Sequence, residues 1–209
     1  MATVSKSLLA GAAGAIEIAA QFPEGPPRAV AVVAHPHPLF GGSMDNKVVT
    51  TIARAFVESG AAVWRFNFRG VGGSEGAHDE GRGETDDMLA VIAHGRAANP
   101  GLPLWIGGFS FGGTVALAAA GQTGAEELIL VAPSLKRLAQ WQSAAETSPP
   151  ASTLVIHGEH DETVPLTDSL DWARPRDIPV TVVPGADHFF HQRLHLIRVI
   201  VGRWMMARQ

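Results

Sequence analysis

Along this chain, short unbroken apolar runs alternate with longer stretches in which apolar residues return every three or four positions. Ala29-Val30-Ala31-Val32-Val33-Ala34 is the clearest run, and a β-branched segment without a polar position marks a strand covered on both faces. Ala62 to Phe66, Leu104 to Gly107, Glu127 to Ala132, Thr153 to His157 and Pro179 to Pro184 read as further strands. Ala15 to Ala20 is another, with a lead-in and an edge strand ahead of it, and Pro23-Glu24-Gly25-Pro26-Pro27 forces a turn. Asp45 or Asn46 caps a helix to about Ser59, with Val48, Val49, Ile52, Ala55 and Phe56 on one face and Gly60 closing it. Glu84 to Ala97, the residues after Ser110 as far as Ala120, a segment starting at Thr163-Val164-Pro165, and His191 to Ala207 complete the helices. The acidic opening Glu84, Asp86, Asp87 suits a helix dipole. Pro133 to Pro150 is a short connection with a helical turn around Leu135 to Trp141. Strands alternating with helices of this length predict a mostly parallel sheet with helices on both faces. No repeat or linker interrupts the pattern, so residues 1–209 are expected to form one domain.

Composition narrows the function classes. A net charge of -4, spread along the 209 residues, leaves no basic footprint for nucleic acid or an anionic membrane. With no cysteine, disulfides, thiolate metal sites and a cysteine nucleophile are all removed, which matches a cytoplasmic protein. Ala97 to Ala125 carries no charge, yet Pro100, Pro103, Gly107, Gly108, Gly112 and Gly113 cut it into loop, strand, turn and helix, so no membrane span is expected. The Leu8 to Ala15 stretch after Lys6 is mostly Ala and Gly, and Glu17 interrupts it, unlike an export signal.

The candidate chemistry lies inside that uncharged stretch. Leu104-Trp105-Ile106-Gly107-Gly108-Phe109-Ser110-Phe111-Gly112-Gly113-Thr114 reads as strand, sharp turn and helix, with Ser110 in a G-x-S-x-G pattern. A helix starting just after a serine directs its amides and positive dipole end toward developing negative charge, so the Phe111 N–H is a candidate oxyanion donor. Parallel sheets place their chemistry at the carboxyl ends of strands. Ser110, then Gly158-Glu159-His160-Asp161-Glu162, then Gly185-Ala186-Asp187-His188 fall there in chain order. A serine hydroxyl needs a base, and the base needs an anion to hold its tautomer. His188 on its loop is the candidate base, in preference to His191 and His195 in the closing helix. Asp161 is the candidate acid, with Glu162, Asp168 and Asp171 read as solvated or capping carboxylates and Asp187 as pointing away. The glycine-rich Asn67 to Gly76 loop lacks both the register and the lysine of a phosphate site.

Five blocks, His35-Pro36-His37-Pro38-Leu39-Phe40-Gly41-Gly42-Ser43-Met44, Arg65 to Ser74, Gly108 to Gly112, His157 to Asp161 and Gly185-Ala186-Asp187-His188-Phe189-Phe190, resemble those of the small, lidless bacterial α/β-hydrolases over nearly the whole chain. The order serine, acid, histidine is also that of this fold. The resemblance implies an eight-stranded hydrolase sheet, esterase-like chemistry without a cofactor, a small-molecule acyl ester as substrate, and a triad of Ser110, Asp161 and His188. In the wider superfamily the residue after His-Gly supplies a second oxyanion amide. Here His35-Pro36-His37 puts proline in the glycine place, so the His37 N–H is the expected donor and the Leu39 N–H its reserve, prolines having none. Pro133 to Pro150 is too short for a lid domain, which predicts an open site favouring short acyl groups. Phe40, Phe109, Phe111, Trp141 and Phe189 are candidate walls, equally explicable as core filling. Two other classes compete. One is a metal-dependent hydrolase using His35 and His37 with His160 and Asp161, against which no third histidine follows at ligand spacing. The other is a hydrolase fold that binds without catalysing.

Overall fold

The computed structural model describes residues 4–136 and 148–207. Its elements are β1 (Val4–Gly11), β2 (Gly14–Gln21), β3 (Ala29–Ala34), α1 (Lys47–Glu58), β4 (Ala61–Phe66), α2 (Arg82–Ala98), β5 (Leu104–Phe109), α3 (Phe111–Thr123), β6 (Glu127–Val131), β7 (Thr153–Gly158), α4 (Leu166–Ala173), β8 (Val180–Val183) and α5 (Leu194–Met206). The eight strands form one sheet in the order β1-β2-β4-β3-β5-β6-β7-β8. β1 pairs antiparallel with β2 and β2 with β4, and every later pairing is parallel. This eight-stranded, mostly parallel sheet has the architecture expected of the α/β-hydrolase fold.

The unbroken apolar runs are sorted by the two-residue period of a strand. Val30, Val32, Trp64, Phe66, Ile106, Leu128 and Val155 face α2 and α3, while Ala31, Val33, Val63, Trp105, Phe109, Ile129 and Ile156 face α1 and α5. α1 starts where Asn46 Oδ1 accepts the Val48 N–H at 2.9 Å, so Asn46 is the cap. α3 is buried all round from Phe111 to Ala120, which its small residues permit.

Two expectations change, and a third is not reached. Leu135 to Trp141 falls largely outside the described residues, Trp141 included. α5 opens at Leu194 rather than His191, because Phe190 and Gln192 take left-handed φ of 53° and 60° and hold the preceding residues in a turn. The acids opening α2 do more than complement a dipole. Glu84 is wholly buried, and Asp87 binds the Arg69 guanidinium through both oxygens.

Candidate active site

Ser110 joins β5 to α3 with φ 56° and ψ -120°, a conformation that costs a residue other than glycine on the order of 1–3 kcal/mol. The turn is this tight because its neighbours lack side chains: a Cβ at Gly108 would strike the Gly112 carbonyl, and one at Gly112 the His35 carbonyl. Hydrogen bonds hold the strain. The Ser110 N–H donates to Val131 O at 3.0 Å, and the Ser110 carbonyl accepts from the N–H groups of Gly113, Thr114 and Ser134. Phe111 is the first residue of α3, where N–H groups have no acceptor four residues back.

His188 arrives on the loop after β8 and Asp161 on the loop after β7. The Ser110 hydroxyl donates to His188 Nε2 at 3.1 Å, and His188 Nδ1–H donates to Asp161 Oδ2 at 2.7 Å. Asp161 Oδ1 accepts the Thr163 and Val164 N–H groups at 2.9 and 2.8 Å. Burial pushes the Asp161 carboxyl up, but hydrogen bonds from His157, His188 and the Val164 N–H outweigh it and hold the group well below the usual carboxylate range. Asp161 is therefore an anion throughout the neutral range, and it orients the candidate base, His188, as an Nδ1–H tautomer with Nε2 toward the hydroxyl.

The competing residues are placed elsewhere. Asp187 accepts the His191 N–H at 3.0 Å and pairs with its ring at 2.5 Å, and His195 is exposed on α5. Asp168 is not solvated: it is buried and ion-paired with Lys136 at 2.6 Å. Glu162 and Asp171 are exposed.

On the other side of Ser110 the loop after β3 is pinned by the loop after β4. His35 is wholly buried, its Nδ1 donating to Pro36 O at 2.6 Å and its Nε2 accepting the Phe68 N–H at 3.0 Å. Burial lowers its pKa to about 4 against the opposing effect of the Pro36 hydrogen bond, so the ring is neutral. Both nitrogens being committed, His35 cannot ligate with His37, and His160 is exposed on a different loop, so this set forms no metal site. Asn67 Oδ1 takes the Met44 N–H at 2.8 Å, tying down the loop's far end. His37 caps the turn Pro38–Phe40, and its Nδ1 accepts the Leu39 N–H at 3.3 Å, which occupies the reserve oxyanion donor.

The candidate walls divide. Phe40 is 81% exposed with its ring 4.8 Å from that of His37, and Phe189 is half exposed with its ring 5.1 Å from that of His188. Phe109 and Phe111 belong to the core. Phe109 is wholly buried, with its ring 4.9 Å from that of His188, and backs the imidazole. Trp141 lies outside the described residues.

Two histidines beside the site were not singled out from the sequence. His157 Nε2 lies 3.3 Å from Asp161 Oδ2. His78 packs its ring 4.8 Å from that of His37 and 5.6 Å from that of Phe111, and its Nδ1 meets Glu84 Oε1 at 2.7 Å. Only His157 carried a signal, its place just ahead of Gly158 at the end of a strand that leads to Asp161.

A family model for serine aminopeptidase S33 matches residues 25–147, a span that contains Ser110 and ends before Asp161 and His188. The chain is 39% identical to an α/β serine hydrolase without a lid from Xanthomonas campestris, with a TM-score of 0.89 and coverage of 98% of this chain and 94% of that one. It is 36% identical to an α/β serine hydrolase homologue from Coxiella burnetii, with a TM-score of 0.87 and coverage of 95% and 96%. An uncharacterised protein of Rickettsia prowazekii is 31% identical over 86% of this chain and 79% of its own length.

Proposed function

The chain belongs to the serine aminopeptidase S33 family and is a lidless α/β serine hydrolase, and on that premise we propose that it cleaves short-chain carboxylic esters through an acyl intermediate on Ser110. The observation that carries the reading is the line of contacts from the Ser110 hydroxyl through His188 to the buried, ionised Asp161. In the proposed reaction, Ser110 Oγ adds to the ester carbonyl carbon as its proton passes to His188 Nε2. Asp161 stabilises the resulting imidazolium, and the Phe111 and His37 N–H groups hold the oxyanion. His188 then returns the proton to the departing alcohol. Water repeats the sequence, its proton going to His188 and its oxygen to the acyl carbon, and the acid leaves as Ser110 is regenerated.

Esters suit the rim better than peptides. Leu39, Phe40 and Phe189 expose apolar surface there, whereas an aminopeptidase must hold a substrate ammonium with free carboxylates. Among the described residues, four acids on the flanking loops and helices are already engaged, Asp187 by His191, Asp168 by Lys136, Glu159 by the Gly185 N–H and Glu84 by His78, and Glu162 of the Asp161 loop stays exposed. The test is turnover of nitrophenyl esters of rising acyl length beside aminoacyl nitroanilides, with Ser110→Ala as control. The expected result is activity peaking at short acyl groups, little on anilides, and fluorophosphonate labelling of Ser110. Preference for anilides would move the reading to peptidase, and a protein that never labels or turns over to a binding role.

A further inference from the structure

The carboxylate oxygen that receives His188 also receives a second imidazole. His157, at the end of β7, is wholly enclosed: its Nε2 lies 2.9 Å from Val164 O and 3.3 Å from Asp161 Oδ2, and its Nδ1 lies 2.8 Å from Ser169 Oγ. A carbonyl only accepts, so Nε2 carries the hydrogen and shares it between Val164 O and Asp161 Oδ2. Nδ1 is then bare in the neutral ring and accepts the Ser169 hydroxyl, itself enclosed on α4. The contacts therefore run Ser110, His188, Asp161, His157, Ser169: hydroxyl, imidazole, carboxylate, imidazole, hydroxyl.

We infer that His157 is a positioning residue for the reaction, a second donor that fixes the plane of the Asp161 carboxylate and weakens its hold on the His188 proton, with Ser169 fixing the tautomer of His157. The inference rests on the proposed roles of Ser110, His188 and Asp161. Two backbone N–H groups secure Asp161 Oδ1, but among the described residues only imidazoles reach Oδ2. Without His157 that oxygen would give its whole charge to His188, raising the imidazole's affinity for a proton and blunting its return to the leaving alcohol. The other charged or titratable groups nearby are Asp168 with Lys136 next to Ser169, the exposed Glu159, His160 and Glu162 of the Asp161 loop, and the Asp187–His191 pair of the His188 loop. Among the described residues, none of these groups contacts Asp161 Oδ2.

Long-range proton–nitrogen spectra of the wild-type protein test the geometry without regard to turnover: His157 is expected with Nε2 protonated and Nδ1 bare at neutral pH. The opposite tautomer, or an imidazolium, overturns the inference. In nitrophenyl acetate hydrolysis, His157→Leu is expected to lower kcat by about a hundredfold, to leave KM little changed, and to move the acid limb of kcat/KM to higher pH. His157→Gln, whose amide places N–H groups near the Nε2 position, should recover most of the rate, and Ser169→Ala should show a smaller loss of the same kind. If His157→Leu keeps the wild-type kcat and acid limb while Ser110→Ala is inactive, the positioning role fails and the Ser110 reading stands. A rate loss with lowered thermal stability, an unmoved limb and no rescue by Gln likewise overturns it in favour of packing alone. A wild-type protein that never labels with fluorophosphonate ends the Ser110 reading instead, and the spectra still decide whether the five-residue chain exists.

Discussion

Two imidazole–carboxylate pairs flank the turn at Ser110, His188 with Asp161 on one side and His78 with Glu84 on the other, and both close Nδ1 to oxygen at 2.7 Å. Locally they are almost the same object. Each carboxylate is buried and each also accepts backbone N–H groups, Thr163 and Val164 for Asp161, Asp79 and Gly81 for Glu84. They differ at the far nitrogen. His188 Nε2 receives the hydroxyl of a serine held at a strained turn, whereas His78 Nε2 has no hydrogen-bond partner among the described residues and its ring packs on His37 and Phe111. An oriented imidazole is thus common structural material. It becomes a candidate base only where the fold delivers a hydroxyl to its second nitrogen, and elsewhere it braces a loop, here the loop proposed to supply an oxyanion donor.

The sharpest way to separate the pairs is to remove what only one of them has. Ser110→Ala should lower kcat by roughly four to six powers of ten with the fold retained, measured as nitrophenyl acetate turnover against a matched melting curve. Asp161→Asn should cost about four powers of ten, because an amide presents His188 with the wrong tautomer. The corresponding Glu84→Gln should stay within about tenfold of wild type in kcat, since no proton is proposed to pass through His78. A loss in Glu84→Gln as large as in Asp161→Asn would erase the distinction drawn between them.

Stability should respond in the reverse sense. His35 is neutral in the folded protein down to about pH 4, whereas in the unfolded chain it titrates near 6.5. Between those values the unfolded state binds a proton that the folded state does not, so stability rises with pH across this window. It is fully present above pH 6.5 and its contribution, about 3 kcal/mol, is lost by pH 4. Urea midpoints from pH 7 to 4 should fall accordingly, with a flatter slope in His35→Gln. Asp161, held low, adds loss of the same sign below the ordinary carboxylate range. Glu84→Ala should come next, at about 2 kcal/mol, by stranding the His78, Asp79 and Gly81 donors. The smallest effect belongs to the rim: Phe40→Ala or Phe189→Ala should raise KM for short aryl esters severalfold, by about 1 kcal/mol, and leave the melting temperature unchanged.

The reach of the sequence can be judged from particular stretches. Ala29-Val30-Ala31-Val32-Val33-Ala34 matches β3 residue for residue, since an apolar run of that length has one stable use in an alternating chain. Ser110 was legible from the glycines around it, because the constraint on a tight turn is local and is written in the residues that form it. His188 and Asp161 were narrowed by strand order and by the rule that parallel strands present their loops at one edge. His157 and His78 were not separable from other buried histidines, because what distinguishes them is a contact to Asp161 or Glu84 made by side chains rather than by spacing. Phe109 read equally as wall or core filling and Asp168 as solvated or capping for the same reason: burial belongs to the assembled layers.

The sequence by itself determined the alternation of strands and helices, the strained serine turn and the carboxyl-end loops that carry candidate acid and base, since each depends on residues within a few positions of one another. Only the tertiary structure decided which imidazole meets the hydroxyl, which carboxylates are spent on structure, and that Asp161 is shared by two rings. The first depends on segments 27 and 78 residues apart, which meet only once the sheet has brought its strand ends together, and even the four-residue separation of His157 and Asp161 becomes a contact only when the packed layers enclose both side chains.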